Sequence, residues 1–428
     1  MMPVGRVGAG TRQRDGRRRR TGRQAIRSLV TMPPADRREM HLGYRTYTCP
    51  VHRRCGGCEL LTRPYPIQLQ RKQREVEELF AGFGDAVVEP IVGMSEPVRF
   101  RTKILTPFAP GRGGRIVYGL YQKHSHRIVE HDDCLVVDER AQPVLDTIAR
   151  LMPSFRMTPY DEDRGEGLLR HVLLRVSRAT GEVMVTLVCN RPYFPSQKAF
   201  ARALHKHHPE VATVVLNVNT RDTNVVLGER ETVLYGRGWI REDLLGHRFR
   251  LSSQAFFQTN PVQTERLYRT ALDYADLGSG TTVLDAYCGI GTIGILASGY
   301  AERVVGVERN EHAVRDARAN ARSNDCDNVT FLAADATEFM QDAAMRDEGC
   351  DVVFLDPPRA GATPAFLDAV SALGARTVVY VSCNPVTQRR DVERLRASGF
   401  ALRAVRPVDM FPHTRHVETV ALMSRIKR

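Results

Sequence analysis

The C-terminal half of the sequence repeats one unit, an apolar stretch typical of a β-strand that leads into a polar or acidic residue and then into a helical segment. Five such stretches occur, at residues 282–286, 303–307, 329–332, 351–355 and 379–382. Strands that alternate with helices are typical of an α/β fold with a doubly wound, mostly parallel sheet. The pattern therefore predicts a Rossmann-like domain, which we place at residues 241–428.

Two residues that follow neighbouring strands of this predicted sheet are candidates for chemistry. Asp356 follows the strand at 351–355, and Cys383 follows the strand at 379–382. The carboxyl ends of parallel strands meet at one edge of a sheet, where ligands bind, so the two side chains are expected to share a site. Cys383 is a candidate nucleophile, because a thiolate reacts strongly even when only partly ionised. The alternative is a small buried apolar residue.

The loop after the first strand predicts the ligand. Residues 289–294 match G-x-G-x-x-G, a weak signal alone, and Glu308 follows Asp285 by 23 residues, where an acid that binds ribose hydroxyls belongs. NAD is disfavoured, because Asp285 and the acids of the next strand ends would repel a pyrophosphate. Nor does a phosphate-binding lysine accompany the loop. S-adenosylmethionine, a cationic nucleoside without phosphates, fits better.

The charge of +13 is concentrated at the N-terminus, since residues 1–42 hold eleven arginines against Asp15, Asp36 and Glu39. About +5 remains for the rest, which is weak evidence for nucleic-acid binding. We expect residues 1–42 to be a disordered basic tail. Two explanations of this tail stay open. It is either a functional basic arm or the result of a misassigned start codon, with Met32 or Met40 as the true start. No secretory signal and no long apolar run is present, so a cytoplasmic protein that does not cross a membrane is expected.

Residues 43–240 are predicted to form an α+β domain. The pattern predicts a helix from Tyr65 to Phe80 with a solvated basic face, a hairpin at 168–188, a helix at 196–207 and strands at 211–218 and 223–227. A further strand is predicted at 98–104. Its Arg99, Arg101 and Lys103 form either a solvated face or a row of contacts to an RNA backbone.

Four of the nine cysteines suggest a metal site. Cys49, Cys55 and Cys58 have the spacing C-x5-C-x2-C, and Cys134 stands alone 76 residues later. Four-cysteine zinc sites generally use two close pairs, whereas three clustered thiolates and a remote one suit an iron–sulfur cluster better. Zinc and radical chemistry on S-adenosylmethionine are the alternatives.

Three motifs resemble those of the RNA uracil-C5 methyltransferases. They are Gln-Thr-Asn-Pro at 258–261, Ser-Cys-Asn-Pro at 382–385 and Phe-Pro-His-Thr-Arg-His-Val-Glu at 411–418, and the resemblance covers residues 44–428. The cysteine quartet is similar to that of the ribosomal-RNA members, and the short N-terminal segment leaves no room for the TRAM domain that some of them carry. The chain is thus most similar to the smaller 23S rRNA enzymes of the family.

The resemblance implies a reaction. S-adenosylmethionine would methylate C5 of one uridine in a hairpin loop of large-subunit ribosomal RNA, and a 4Fe–4S cluster would be structural or would position the RNA. Cys383 would add to C6 of the uracil, and Glu418 would remove the C5 proton. His413 and His416 lie three residues apart, but no carboxylate or cysteine pattern completes a metal site, so these residues are expected to shape the active-site loop. No obligate protein partner is evident, and a monomer is expected. The implied cofactor-binding residues are Gln258, Tyr287, Glu308, Asp335 and Asp356, and the implied cluster ligands are Cys49, Cys55, Cys58 and Cys134.

Three alternatives stay open at this point. The chain could methylate a tRNA uridine, or it could methylate an exocyclic amine, for which the turn Asp356-Pro-Pro would accept hydrogen bonds and no cysteine nucleophile would be needed. It could also be a non-catalytic iron–sulfur protein that binds RNA. Covalent trapping of RNA by Cys383 distinguishes uracil methylation from methylation of an exocyclic amine. Binding of S-adenosylmethionine distinguishes an enzyme from a non-catalytic RNA-binding protein.

Overall fold

Two β-sheets organise the part of the chain that the structure describes. The computed structural model describes residues 45–426 except 85, 124, 222, 224 and 347, and these residues belong to one compact unit. The predicted basic tail, residues 1–42, lies outside the described residues. No helix within the described ranges is long and apolar enough to cross a bilayer.

The strands are, in chain order, β1 (Val87–Val88), β2 (Lys103–Pro110), β3 (Ile116–Tyr118), β4 (Leu120–Tyr121), β5 (Ile128–Val129), β6 (Leu169–Val176), β7 (Val183–Cys189), β8 (Val211–Val218), β9 (Arg230–Tyr235), β10 (Trp239–Leu244), β11 (His247–Ser252), β12 (Thr282–Ala286), β13 (Arg303–Glu308), β14 (Val329–Ala333), β15 (Val352–Leu355), β16 (Thr377–Ser382), β17 (Phe400–Val408) and β18 (Glu418–Arg425).

The α-helices are α1 (His52–Cys55), α2 (Tyr65–Phe80), α3 (Ala141–Leu151), α4 (Gln197–His207), α5 (Pro261–Ala275), α6 (Thr292–Ser298), α7 (Glu311–Ser323), α8 (Ala336–Met345), α9 (Pro364–Ala372) and α10 (Pro385–Ala397).

The larger sheet is the predicted doubly wound sheet. Its strand order is β1-β17-β18-β16-β15-β12-β13-β14, and β12 to β16 run parallel to one another. Two features were not predicted. β18 enters antiparallel between β16 and β17, and β1 adds a parallel edge to β17, so residues from the N-terminal part of the chain complete this sheet. The boundary between residues 240 and 241 stays a prediction.

Helices cover both faces of this sheet, which is why its strands are apolar on both sides. Val283 and Val304 face a core that includes residues of α5, α6 and α7. Leu284 and Val307 face the opposite core, which includes residues of α2, α8, α9 and α10. The sheet is therefore fully buried at its centre, and its functional side chains can only lie at the strand ends.

The smaller sheet has six strands in the order β3-β2-β6-β7-β8-β9, with α3 and α4 packed on its own apolar core. The predicted hairpin is confirmed as the antiparallel pair β6 and β7, and the strand at 211–218 is confirmed as β8.

The strand predicted at 223–227 is wrong, because the strand that pairs with β8 begins at Arg230. Side chains hold the preceding loop instead of a strand ladder. The Asn219 amide donates to the carbonyl groups of Val225 and Val226 at 2.7 and 2.8 Å. Asn217 exchanges two hydrogen bonds with the backbone of Gly228.

The strand predicted at 98–104 begins only at Lys103. Arg99 has a positive φ of 52°, and its guanidinium forms an ion pair with Asp133 at 2.5 Å. The three basic residues therefore do not share one solvated face, and Arg99 is committed to a contact within the protein.

Candidate active site

Cys383, Asp356 and Glu418 come together at the carboxyl ends of β15 and β16. These strands are parallel neighbours, and Asp356 and Cys383 are the residues that follow them. Glu418 begins β18, whose next residue, Thr419, pairs with Ser382. The charges of Glu418 and Asp356 both act on the Cys383 thiol. The predicted convergence of Asp356 and Cys383 is thus confirmed, and β18 adds Glu418 to the same strand ends.

Burial governs the ionisation of these groups. Glu418 is 2% exposed, and burial, with a smaller contribution from Asp356, raises its pKa to about 8. Burial also raises the pKa of Asp356 to about 7. The pKa of Cys383 lies above its usual value because of burial and then because of the two carboxylates, whereas Arg359 lowers it. A carboxyl group with a pKa near the working pH is suited to exchange a proton with a substrate.

The turn that carries Cys383 is held by side-chain hydrogen bonds. The Ser382 hydroxyl accepts a hydrogen bond from the Asn384 backbone N–H at 3.1 Å. The Asn384 side chain caps α10 through the Val386 N–H and donates to the Arg359 carbonyl at 3.2 Å. Asn384 therefore ties the cysteine turn to the loop after Asp356, which explains the Asn-Pro pair that follows the cysteine.

The loop before Glu418 is anchored by the N-terminal part of the chain. His413 is fully buried, and its Nε2 lies 2.8 Å from the Pro97 carbonyl oxygen. Its backbone N–H donates to Gln68 Oε1 at 3.0 Å, and Gln68 Nε2 lies 3.2 Å from His413 Nδ1. His413 has φ of 68°, a strained value that this packing maintains. The prediction that His413 shapes the active-site loop agrees with these contacts.

A buried ion pair at the start of the same loop was missed. Lys72 Nζ lies 2.6 Å from Asp409 Oδ1, and both side chains are almost completely buried. The Tyr65 hydroxyl donates to the other oxygen of Asp409 at 2.7 Å. The prediction of a solvated basic face on α2 is therefore wrong for Lys72. The position of Lys72 in the sequence could have indicated its burial. Lys72 lies three residues after Leu69 and four before Val76, and residues at this spacing share one face of a helix.

The Gly-rich loop forms a small cavity beside the strand ends. Asp285 Oδ2 accepts a hydrogen bond from the Gly294 N–H at 2.8 Å, and Glu308 Oε2 accepts one from the Gly289 N–H at 3.2 Å. Gly291 has φ of 81°, and a Cβ there would lie 2.4 Å from the Phe331 ring. Burial raises the pKa of Asp285 to about 7. The loop is therefore closed by carboxylates, which disfavours a pyrophosphate ligand.

Two of the five predicted cofactor-binding residues line this cavity, and the other three are not among its described lining residues. Tyr287, which has φ of 64°, and Asp356 line it together with Asp285, Phe256 and Tyr268. Gln258 is buried and acts on Tyr268 through a hydrogen bond. Asp335 caps α8 by accepting from the Thr337 N–H at 2.9 Å. The roles of all five in cofactor binding stay predictions.

The four predicted cluster ligands lie around one small cavity. Cys49, Cys55, Cys58 and Cys134 all line it, and burial, followed by the charges of the other three cysteines, raises the pKa of Cys58 to about 12. Gly56 has φ of 68°, so the backbone turns tightly between these thiols. Across the described ranges, no group of three or more His, Cys, Asp or Glu side chains is placed to hold a metal ion. The structure thus brings the thiols together but does not establish a cluster.

The fold and this site define the class. A doubly wound sheet with an acid-lined cavity at its strand ends, beside a half-buried thiol, fits a methyltransferase that uses S-adenosylmethionine. The model of the tRNA (uracil-5-)-methyltransferase family matches residues 64–426. The chain belongs to this family, and it is an S-adenosylmethionine-dependent RNA uracil-5-methyltransferase.

Relatives and a solved structure agree with this assignment. An uncharacterised RNA methyltransferase of Halalkalibacterium halodurans is 39% identical over 378 residues, which are 88% of this chain and 82% of that protein. A similarly named protein of Staphylococcus aureus strain MSSA476 is 37% identical over 379 residues, 88% and 83% of the two chains. The crystal structure of the Pyrococcus abyssi tRNA (uracil-54, C5)-methyltransferase with S-adenosyl-L-homocysteine matches with a TM-score of 0.73 and 29% identity, over 88% of this chain and 86% of that one.

Proposed function

We propose that the protein methylates C5 of one uridine in large-subunit ribosomal RNA, with Cys383 as the nucleophile and Glu418 as the base. The observation that carries this proposal is the placement of a half-buried thiol and a buried carboxyl group of raised pKa at the ends of adjacent strands. The target uridine has to leave its stack to reach them, which favours a loop over a duplex.

The side chains account for the chemistry in order. C5 of uracil is a weak nucleophile, and addition of the Cys383 thiolate to C6 moves electron density to C5. Bound S-adenosylmethionine supplies an electrophilic methyl group, and Tyr287, Glu308 and Asp356 would hold it near the strand ends. Glu418 then takes the proton from C5, and the electron pair of that C–H bond restores the double bond as the thiolate leaves C6.

The raised pKa of Glu418 assists the last of these steps. Burial disfavours the charged carboxylate of Glu418, so the ionised form is a stronger base than an exposed glutamate. The pKa of Cys383 is raised as well, because burial and the two carboxylates disfavour its thiolate, and the charge of Arg359 opposes this shift. The site therefore combines a thiol that has one cation beside it with a base that is shielded from water. The thiol serves the nucleophilic addition, and the base serves the proton removal that follows.

A cluster site is part of the same proposal. Four thiols around one cavity are the donor set for a 4Fe–4S cluster. When bound, the cluster would fasten the segment that contains α1 to the loop at Cys134. Methyl transfer itself needs no electrons, so we assign the cluster a structural or RNA-positioning role.

A tRNA uridine is the second candidate substrate, because the matched Pyrococcus abyssi structure is that of a tRNA uracil-54 methyltransferase. Ribosomal RNA is favoured because the cysteine quartet is similar to that of the ribosomal members. The deciding experiment is to map 5-methyluridine in 23S rRNA and in tRNA from cells with and without the gene. Loss of one 23S rRNA modification supports the proposal, and loss of only a tRNA modification replaces it by the second candidate.

A further inference from the structure

A large cavity lies beside the proposed catalytic residues, not at them. It has a volume of about 850 Å³ and lies between the cysteine loop, the face of the six-stranded sheet and residues 411–414. This size falls in the range of roughly 300–1,000 Å³ that is typical of small-molecule sites. Cys383, Glu418 and Asp356 are not among the described residues that line it. The reaction proposed above therefore leaves this cavity without a role.

Aromatic rings form one side of the cavity. Tyr121 at the end of β4 lies 5.6 Å from the His126 ring and 6.2 Å from the His171 ring, centroid to centroid. Three elements supply these rings, since His126 lies between β4 and β5 and His171 lies on β6. An aromatic cluster at a polar cavity is the arrangement on which unstacked RNA bases pack.

Polar groups in the same cavity lack partners. Arg101 lines the cavity, and its buried Nε has no hydrogen-bond partner. His171 is 8% exposed, and its Nδ1 has none either. Unpaired buried donors and acceptors cost free energy, so native proteins rarely keep them without a ligand or water. The nearby Arg170 differs, because Glu162 pairs with it at 3.1 Å. Arg101 therefore keeps one buried N–H for a ligand in the cavity, while its charge also acts on the thiols of Cys58 and Cys134.

The cavity is joined to the catalytic loop. Phe411, Pro412 and Thr414 line it, and Glu418 follows Thr414 by four residues. A ligand in the cavity would therefore touch the segment that carries the proposed base.

We propose that this cavity binds a second unstacked nucleotide of the RNA substrate, close in sequence to the target uridine, with its base against Tyr121 and His126 and its phosphate towards Arg101. The proposal rests on the function proposed above and deepens it, because it assigns RNA selectivity to a site separate from the chemistry. Extrusion of the target breaks the stacking of its neighbours, so a second pocket would compensate for their lost contacts.

The test compares variants of the cavity with a matched surface variant. Tyr121→Ala and His126→Ala remove rings from the cavity, and Tyr300→Ala removes a ring that is 55% exposed elsewhere. The probes are in vitro transcripts of 23S rRNA and of tRNA. Because stacking of one base on an aromatic side chain is worth about 1–3 kcal/mol, we expect Tyr121→Ala to weaken binding of the preferred transcript by roughly 5- to 150-fold. Tyr300→Ala should bind as the wild type does, and S-adenosylmethionine affinity should be unchanged in all three.

Cross-linking of the wild-type protein provides a readout that does not depend on variants. Transcripts that contain 4-thiouridine are irradiated with the protein, and the linked peptides are identified by mass spectrometry. Cross-links within residues 120–127 or 170–171, at a nucleotide other than the methylated one, support the pocket. Unchanged affinity in Tyr121→Ala, or cross-links confined to peptides outside the cavity, overturns it. If the wild-type protein methylates uridine but no cross-link lies in the cavity, the pocket alone is refuted. If RNA binds in the cavity but no 5-methyluridine forms, the proposed function alone is refuted.

Discussion

Cys383 and Glu418 stand at the same level of the sheet, one just after the end of β16 and the other at the start of the antiparallel β18. The pairing of Ser382 with Thr419 fixes this relationship, so neither side chain can move along its strand without breaking the ladder. Residues 35 positions apart in the sequence are thus held as a pair by backbone hydrogen bonds. A nucleophile and a base need such fixed geometry, because small displacements of reacting groups are costly in rate.

Glu308→Ala is expected to weaken S-adenosylmethionine binding while leaving RNA affinity unchanged. Glu308 ends β13 beside the Gly-rich loop, and a hydrogen bond to a charged group is worth about 1.5–3 kcal/mol. Isothermal titration calorimetry should therefore show a dissociation constant raised by roughly 10- to 150-fold. Glu311→Ala, at an exposed position at the start of α7, is the control and should bind normally. Normal binding by both variants would show that Glu308 does not contact the cofactor.

The contribution of Glu418 to the stability of the protein without ligands is expected to fall as pH rises from about 4 to about 8. Glu418 keeps its proton up to a pH of about 8 in the folded state, whereas an exposed glutamate loses it near about pH 4.3. Between these two pKa values the folded state binds more protons than the unfolded state. The contribution of Glu418 to the free energy of unfolding is therefore full at low pH and is lost as pH rises through the folded pKa. Acidic groups with lowered pKa values, such as Asp138, act in the opposite sense.

The contribution of Glu418 is isolated by substitution. Thermal unfolding of Glu418→Gln should show a smaller decline between pH 5 and pH 8 than that of the wild type, because the amide has no proton to release. Glu393→Gln, on an exposed ion pair with Arg389, should reproduce the wild-type profile. Identical pH profiles for all three proteins would mean that the Glu418 carboxyl group is not held protonated.

Lys72→Met is expected to be strongly destabilising and to impair methyl transfer. Removal of one member of a buried ion pair leaves the other charge unpaired and costs about 3–5 kcal/mol. Asp409, the unpaired residue, precedes the loop that leads to Glu418, so turnover should fall while S-adenosylmethionine affinity stays close to normal. Chemical denaturation and initial rates measure the two effects. Lys198→Met, at an exposed position of α4, should change neither, and a fully stable Lys72→Met would show that the pair contributes nothing to the fold.

Protein purified without oxygen is expected to be brown and to contain about four irons per chain, as a cubane held by four cysteines requires. Cys134→Ser should lose this iron, since Cys134 is the remote member of the quartet around the small cavity. Cys326→Ser should retain it, because Cys326 lies elsewhere and contacts Ser298. Iron and zinc are measured by mass spectrometry. Stoichiometric zinc, in protein made with its iron–sulfur assembly machinery intact, would contradict the cluster.

The parallel sheet and the convergence of Asp356 with Cys383 could be predicted from sequence, because both follow from local patterns. Apolar strands that alternate with helices define the sheet, and a parallel sheet brings its strand ends together whatever the loops do. The same reasoning placed Asp285 and Glu308 beside the Gly-rich loop, where the structure has them.

Contacts between distant segments could not be predicted in this way. The pairing of β1 with β17, the burial of Lys72 on Asp409 and the hydrogen bonds of His413 to Gln68 all join residues separated by more than three hundred positions. Each depends on the tertiary arrangement, and no local periodicity specifies it. The strand predicted at 223–227 failed for a related reason, since the side chains of Asn217 and Asn219 satisfy the backbone that a strand would have paired.

The central claim, nucleophilic addition by Cys383, is tested most directly with the preferred RNA transcript carrying 5-fluorouridine at the methylated position. Fluorine replaces the proton that we propose Glu418 removes, so elimination should stall after methylation and leave the RNA covalently attached to Cys383. Denaturing electrophoresis and peptide mapping detect this adduct. We expect the wild type to form the adduct and Cys383→Ala to form none. Cys383→Ala should also fail to methylate unmodified RNA, although it still binds both RNA and S-adenosylmethionine. Methylation by Cys383→Ala at a rate near that of the wild type would contradict the mechanism.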